Sequence, residues 1–117
     1  MKKKGPNKVT GVLGVIANFS LARLAPESSV KRLVRALDGA NEDTSTAAYM
    51  ALVKLGRRYS RVVLKSCPQP SPNVVQVLGD MGDASVIPEL EQLAHSEELA
   101  EVARESIAAL KDCEGEP

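Results

Sequence analysis

The feature that most constrains this chain is a recurrence at the ends of successive helix-forming stretches. Ala51-Leu52-Val53-Lys54-Leu55-Gly56 matches Val77-Leu78-Gly79-Asp80-Met81-Gly82 at an offset of 26 residues, and Leu78 matches Leu110 at an offset of 32. Spacings of this size with two helices per unit belong to helical repeat arrays, in which no unit can bury its apolar face alone and each stacks on the next. The intervening segments agree: residues 56–64 and 82–90 are each nine long, and residues 25–33 have the same length, with Leu24 in the place of Leu55 and Met81. Composition points the same way. The chain is 44% apolar but 3% aromatic and has no Trp, so its core must be Leu, Val, Ile and Ala, which favours helices over a sheet. At 117 residues it is long enough for one domain with a modest core.

Seven helices follow, over residues 10–24, 28–38, 43–55, 58–67, 72–81, 85–94 and 98–111. Ser28 or Ser29 is expected to cap the second, whose apolar stripe Val30, Leu33, Val34 and Leu37 is stopped by Asp38-Gly39. Asp43 or Thr44 is expected to cap the third. Cys67-Pro68-Gln69-Pro70-Ser71-Pro72 cannot be helical throughout, since three prolines remove amide donors and extend the residues before them. Ser85 is expected to cap the sixth helix, with Pro88 in its first turn, and Ser96 the seventh, with Glu97 and Glu98 at its positive end. Residues 1–8 read as a basic tail, 9–111 as the repeat domain, and 112–117 as a polar, acidic tail that frays.

The stretch from Leu78 onward carries a family likeness. A Gly-Asp turn, an Ile87-Pro88 helix start with leucines at helical spacing, an acidic turn, and a second helix built on Val102-Ala103-Arg104 and Ala108-Ala109-Leu110 together resemble a HEAT repeat of the short bacterial type called phycobilisome-lyase-type HEAT-like. The resemblance is strong over residues 78–110, fair over 29–64 and weak before Ala25. It implies an all-α fold, a short right-handed α-solenoid of about three and a half HEAT-like hairpins, with the second helices lining the concave face. It names no reaction. Arg104 stands one place later than the family's usual Val-Arg pair, and Thr46 occupies the equivalent place in the earlier unit, so a structural salt bridge is the expected role for Arg104.

Residues 9–22 are fourteen in a row without a charge, preceded by four lysines. Three readings compete. A membrane span needs about 17 to 25 residues, and Arg23 interrupts this one early. A signal peptide would explain the basic start and the small-x-small pattern Ser20-Leu21-Ala22. The third reading, favoured because the segment runs in register into the next helix, makes residues 9–25 a half repeat or a partner-docking helix. Val9, Val12, Leu13 and Ile16 form one stripe, and Val15, Phe19 and Ala22 extend apolar surface around the other side. A terminal repeat helix normally has a polar outer face; this one lacks it. Val12, Val15, Ile16 and Phe19 are therefore the candidate apolar docking residues, for homodimerisation, for a larger subunit, or for a membrane surface.

The net charge of zero conceals a polarised chain. Residues 1–66 hold thirteen Lys/Arg against four Asp/Glu, and residues 67–117 hold two against eleven. Lys54, Arg57, Arg58, Arg61 and Lys65 recur at helical intervals and form a candidate basic ridge, near Lys31, Arg32 and Arg35, for an acidic protein, anionic lipid or nucleic-acid phosphates. Nucleic acid is the weakest of these, because only Tyr59 interleaves and the acidic half repels a duplex. Glu97, Glu101 and Glu105 share one side of the last predicted helix and complement the ridge.

Catalytic chemistry finds no foothold. His95 is the sole histidine and is expected to cap helix-end carbonyls. Cys67 and Cys113 have no metal-ligand spacing and read as reduced thiols, so neither a metal nor a cofactor is expected. No Ser or Cys has a visible base, and Gly79 to Gly82 follows no strand, so it is not a phosphate loop. The expectation is a non-enzymatic protein-protein interaction module, a small adaptor or accessory subunit in the cytoplasm or at the inner face of the membrane. The alternatives are a component of a phycobilin-lyase-like, chromophore-handling enzyme, whose relatives are several repeats longer, and a membrane-tethered scaffold.

Overall fold

The structure, a computed structural model, describes residues 8–114, with side chains described for residues 11–112. Residues 1–7 of the basic tail and residues 115–117 lie outside the described residues, and Lys8 begins the first helix. Seven α-helices are present among the described residues: α1 (Lys8–Leu21), α2 (Pro26–Leu37), α3 (Glu42–Leu55), α4 (Ser60–Ser66), α5 (Pro72–Met81), α6 (Ile87–Leu93) and α7 (Ala100–Glu114). Short 3-10 turns, Arg57–Tyr59 and Ala84–Val86, lead into α4 and α6, and no strand occurs among these residues.

The helices form two rows. In the longer one α1 packs on α3, α3 on α5 and α5 on α7; α2, α4 and α6 lie against it, with α2 touching both α1 and α3. The result is an elongated body of 52 × 31 × 20 Å. One core runs through it, from Val15 by Val30, Leu33, Leu37 and Leu52 to Val74, Val77, Leu78, Leu90 and Leu110. Aliphatic side chains suffice because helices carrying small residues approach closely. Gly79 on α5 faces Ser106 on α7, and a Cβ placed on it would lie 2.8 Å from the Ser106 Cβ and 2.9 Å from its Cα. The Ser106 hydroxyl, buried there, donates to the Val75 carbonyl at 2.9 Å. Gly56 and Gly82 end α3 and α5 with φ of 81° and 84°, a left-handed backbone that glycine adopts without steric cost.

Helix starts depart from expectation in instructive ways. Neither Ser28 nor Ser29 caps α2, because Pro26, pre-set to helical φ, starts the helix earlier after Ala25; Ser29 is thereby drawn into the core. Asn41, not Asp43 or Thr44, caps α3, its Oδ1 accepting from the Thr44 N–H at 3.2 Å. At the sixth helix Asp83 accepts from Ser85 N–H at 3.0 Å, so Ser85 lies inside the 3-10 turn, while Pro88 does sit in the first turn of α6. Ser96 offers its carbonyl to Leu99 N–H, and α7 starts only at Ala100, since residues 96–99 turn to insert Leu99 into the core. At its far end α7 continues to Glu114 where a frayed tail was expected. The proline-rich connector behaves as read: α4 stops at Ser66, and Ser71 caps α5 through Val74 N–H at 3.3 Å with Pro72 in the first turn. Asp38, past the end of α2, accepts from Ser71 Oγ at 2.8 Å and from Asn73 Nδ2 at 3.0 Å, fixing the connector to the preceding pair.

Candidate functional site

α1 is built from apolar and small residues on all sides, so packing alone decides which side is inner. Gly11, Val12, Val15, Asn18, Phe19 and Ala22, spaced three and four apart, turn toward α2 and α3; Val15 is 5% exposed and Phe19 packs on the core. Leu13, Ile16, Ala17, Ser20 and Leu21 turn outward, with Leu13 58%, Ile16 53% and Leu21 45% exposed. α1 ends at Leu21, and Leu24, in the turn that follows, is 83% exposed. Of the four apolar docking residues read from the sequence, Val15 thus belongs to the interior, while Phe19 and Val12 are half-buried, Phe19 against the core; only Ile16 stands well out. Leu13, Leu21 and Leu24 complete the outer face. Leu24 also fails to match Leu55 and Met81, which are half-buried and buried, because no earlier helix pair exists among the described residues for it to pack against.

A groove runs along each flank of α1. The larger, about 520 Å³, lies between α1, α2 and the start of α3 and is lined mainly by apolar groups, with Arg32 and Arg35 of α2 on its wall. Two polar oxygens in it, Asn18 Oδ1 and Thr44 Oγ1, are buried without a hydrogen-bond partner, the Asn18 amide nitrogen having turned to the Gly14 carbonyl at 2.9 Å. The second groove, about 360 Å³, lies where the ends of α1 and α3 meet, between Phe19, Ser20, Arg23, Lys54, Leu55, Arg58 and Tyr59. Neither groove is lined by Asp or Glu. Arg23 and Lys54 sit at helix C-termini, where the peptide dipoles favour a cation.

The basic ridge read from the sequence is divided by the fold. Arg61 turns to α6, donating to Glu89 at 2.5 Å and to the Ser85 carbonyl; that pairing raises the guanidinium's affinity for its proton and holds the Glu89 carboxyl below the usual range. Lys65 pairs with Glu27 of α2 at 3.0 Å, beside Lys31. Lys54 and Arg58 join Arg23 in the second groove, and Arg57 is exposed beside them in sequence. None of Arg23, Arg32, Arg35, Lys54 and Arg58 makes an ion pair among the described residues.

At the opposite end α7 presents Glu101, Arg104, Glu105, Lys111 and Asp112 outward. Glu97 precedes the helix, so only Glu101 and Glu105 share its side. Arg104 is exposed with no ion pair among the described residues, in place of the expected salt bridge. His95, exposed past α6, bonds the Gln92 carbonyl through its backbone N–H and not its ring. Burial pushes the half-buried Cys67 thiol up, with the Asp38 charge adding to it, which disfavours the reactive thiolate.

Met50, on α3, is 61% exposed between two shallow depressions that share Tyr49 with it. The Tyr49 hydroxyl donates to Asp80, tying α3 to α5. Sequence reasoning passed over Met50. Its only signal was position: it falls on the side of α3 away from Ala48, Ala51 and Leu52. No helix among the described residues is long and apolar enough to cross a membrane, and these residues contain no group of three or more His, Cys, Asp or Glu placed to hold a metal. Comparison with known protein families, with curated proteins and with solved structures finds no match to this chain.

Proposed function

We propose that this chain is a non-enzymatic adaptor: an array of HEAT-like helical hairpins that holds two recognition surfaces at a fixed separation, one for attachment at α1 and one for a protein partner around Met50. One observation carries the reading. Every large apolar side chain that is well exposed among the described residues lies either on the outer face of the α1 end, at Leu13, Ile16, Leu21 and Leu24, or at Met50. Scattered exposed apolar residues are ordinary; their concentration on one end helix, while the other end helix is polar, marks a contact surface. Neither groove beside α1 is lined by Asp, Glu, His or Cys, and an apolar ridge between two such grooves is a surface suited to binding. The cytoplasm is the compartment proposed for it.

The test is affinity purification of the full chain from its host beside two variants, Leu13→Ser/Ile16→Ser/Leu24→Ser and Met50→Glu. All four positions are exposed, so both variants should fold. The adaptor reading expects the first to lose its attachment to the larger assembly and the second to lose a stoichiometric protein. If both retain everything the wild type holds, the reading fails.

A further inference from the structure

The α1 end combines a convex apolar ridge with cations along both of its flanks. Leu13, Ile16, Leu21 and Leu24 form the ridge. Arg32 and Arg35 stand in the groove on one side; Arg23, Lys54 and Arg58 stand in the groove on the other, and no carboxylate lines either. Ser20 and Arg23 belong both to the second groove and to the run of residues that carries the ridge, so ridge and cations are contiguous. We propose that this end of the molecule docks on an anionic bilayer surface, the four apolar side chains entering the acyl boundary while Arg23, Lys54, Arg58, Arg32 and Arg35 meet lipid phosphates. The inference rests on α1 being the attachment face, as proposed above, and names what it attaches to.

Charge complementarity selects this occupant. A second copy apposed through the same face would bring together two pairs of grooves that carry five cations each and no lining carboxylate, which opposes pairing. The acidic α7 end of another copy matches the charge, but its exposed described residues are Glu101, Arg104, Glu105, Ala108, Lys111 and Asp112, a polar side that suits the ridge poorly. A fluid anionic surface satisfies both requirements, because headgroups can fill grooves on either side of a ridge whose leucines reach below them. The apolar and cationic sides that an interfacial amphipathic helix carries by itself are here divided between α1 and the neighbouring elements. α1 has 14 residues, roughly 21 Å of helix, which is enough to lie along a membrane and too little to cross it.

The test is co-sedimentation of the full chain with phosphatidylcholine vesicles and with vesicles in which about a third of the lipid is phosphatidylglycerol, at low and at physiological salt. The expected result is binding to the anionic vesicles only, weakened by salt. Leu13→Ser/Ile16→Ser/Leu24→Ser and, separately, Arg23→Gln/Arg58→Gln should each lower the partition coefficient at least about tenfold. Circular dichroism and the urea midpoint should stay at wild-type values, so that loss of fold cannot imitate loss of binding. The proposal is overturned by absence of binding to the anionic vesicles, by equal binding to neutral ones, or by variants that bind as wild type. A concentration-dependent dimer that the leucine variant abolishes, with vesicles ignored, overturns it in favour of a second copy. If vesicles are ignored while the leucine variant still loses its cellular assembly, the lipid falls and the adaptor reading stands; if that variant changes neither, both fall.

Discussion

Two buried serines show how one residue type takes opposite energetic signs. The Ser106 hydroxyl is paired with the Val75 carbonyl, whereas Ser60 at the start of α4 is fully buried with a hydroxyl that has no partner. A buried polar group without a partner costs about 1 to 3 kcal/mol, and a made hydrogen bond contributes about 1. Ser60→Ala is therefore expected to raise the unfolding free energy by about 1 kcal/mol in urea titration, and Ser106→Ala to lower it by a similar amount. Gly79→Ala would gain up to about 1 kcal/mol of helix propensity. Its Cβ, however, meets the Ser106 backbone, which cannot rotate away, so overpacking of about 1 to 3 kcal/mol prevails and the variant should be less stable. Tyr49 gives a pH signature. Burial first, and then the hydrogen bond and charge of Asp80, lift its phenol well above the usual range. The folded state therefore holds the proton more tightly than the unfolded chain does. That stabilisation is complete below the ordinary phenol value of about 10 and is lost as pH rises through the folded value. The wild type should lose its stability advantage over Tyr49→Phe in strongly alkaline urea titrations and keep it at neutral pH.

At the scale of elements, periodicity located the helices and packing decided their faces. α5 spans 72–81 as read, because Pro72 and Gly82 punctuate it chemically at both ends. α2 and α7 begin elsewhere than read, since a serine before an apolar stripe signals a cap only where no proline or inserted leucine sets the start. The candidate site was legible as a segment and not as residues. In residues 9–22 every face of the helix is apolar, so sequence carries no moment that could separate Val15 and Phe19, which face α2 and α3, from Leu13 and Leu21, which face away. The basic ridge is divided for a related reason: helical spacing places Arg61 and Lys65 beside Lys54 and Arg58, but Glu89 and Glu27, 28 and 38 residues distant, pair with the first two. The division of α1 is open to measurement. Val15→Ala should cost about 1 to 3 kcal/mol, while Leu13→Ser should stay within about 0.5 kcal/mol of wild type. A reversed order in urea midpoints would mean that α1 is rotated relative to α2 and α3.

For the whole molecule, the order of the rows turns a neutral composition into an electric dipole. The cationic residues 1–66 supply α1 to α4 and the acidic residues 67–117 supply α5 to α7, and in the longer row α1 and α7 stand at opposite ends. The 52 Å length exceeds the roughly 8 Å Debye length at physiological ionic strength several times over, so the two ends do not cancel for any partner that approaches one of them. What a partner meets is the local field, not the net charge. A protein with a pI near 6.6 and a mixed surface would pass a cation exchanger at pH 7. This chain should be retained at low salt on cation and anion exchangers alike, and released from both by physiological salt. Arg23→Gln/Arg58→Gln should elute earlier from the cation exchanger and no earlier from the anion exchanger. The asymmetry matters because those two arginines lie on the flank of the apolar ridge: if both columns shifted together, charge would be spread over the body and could not orient α1 toward an anionic surface.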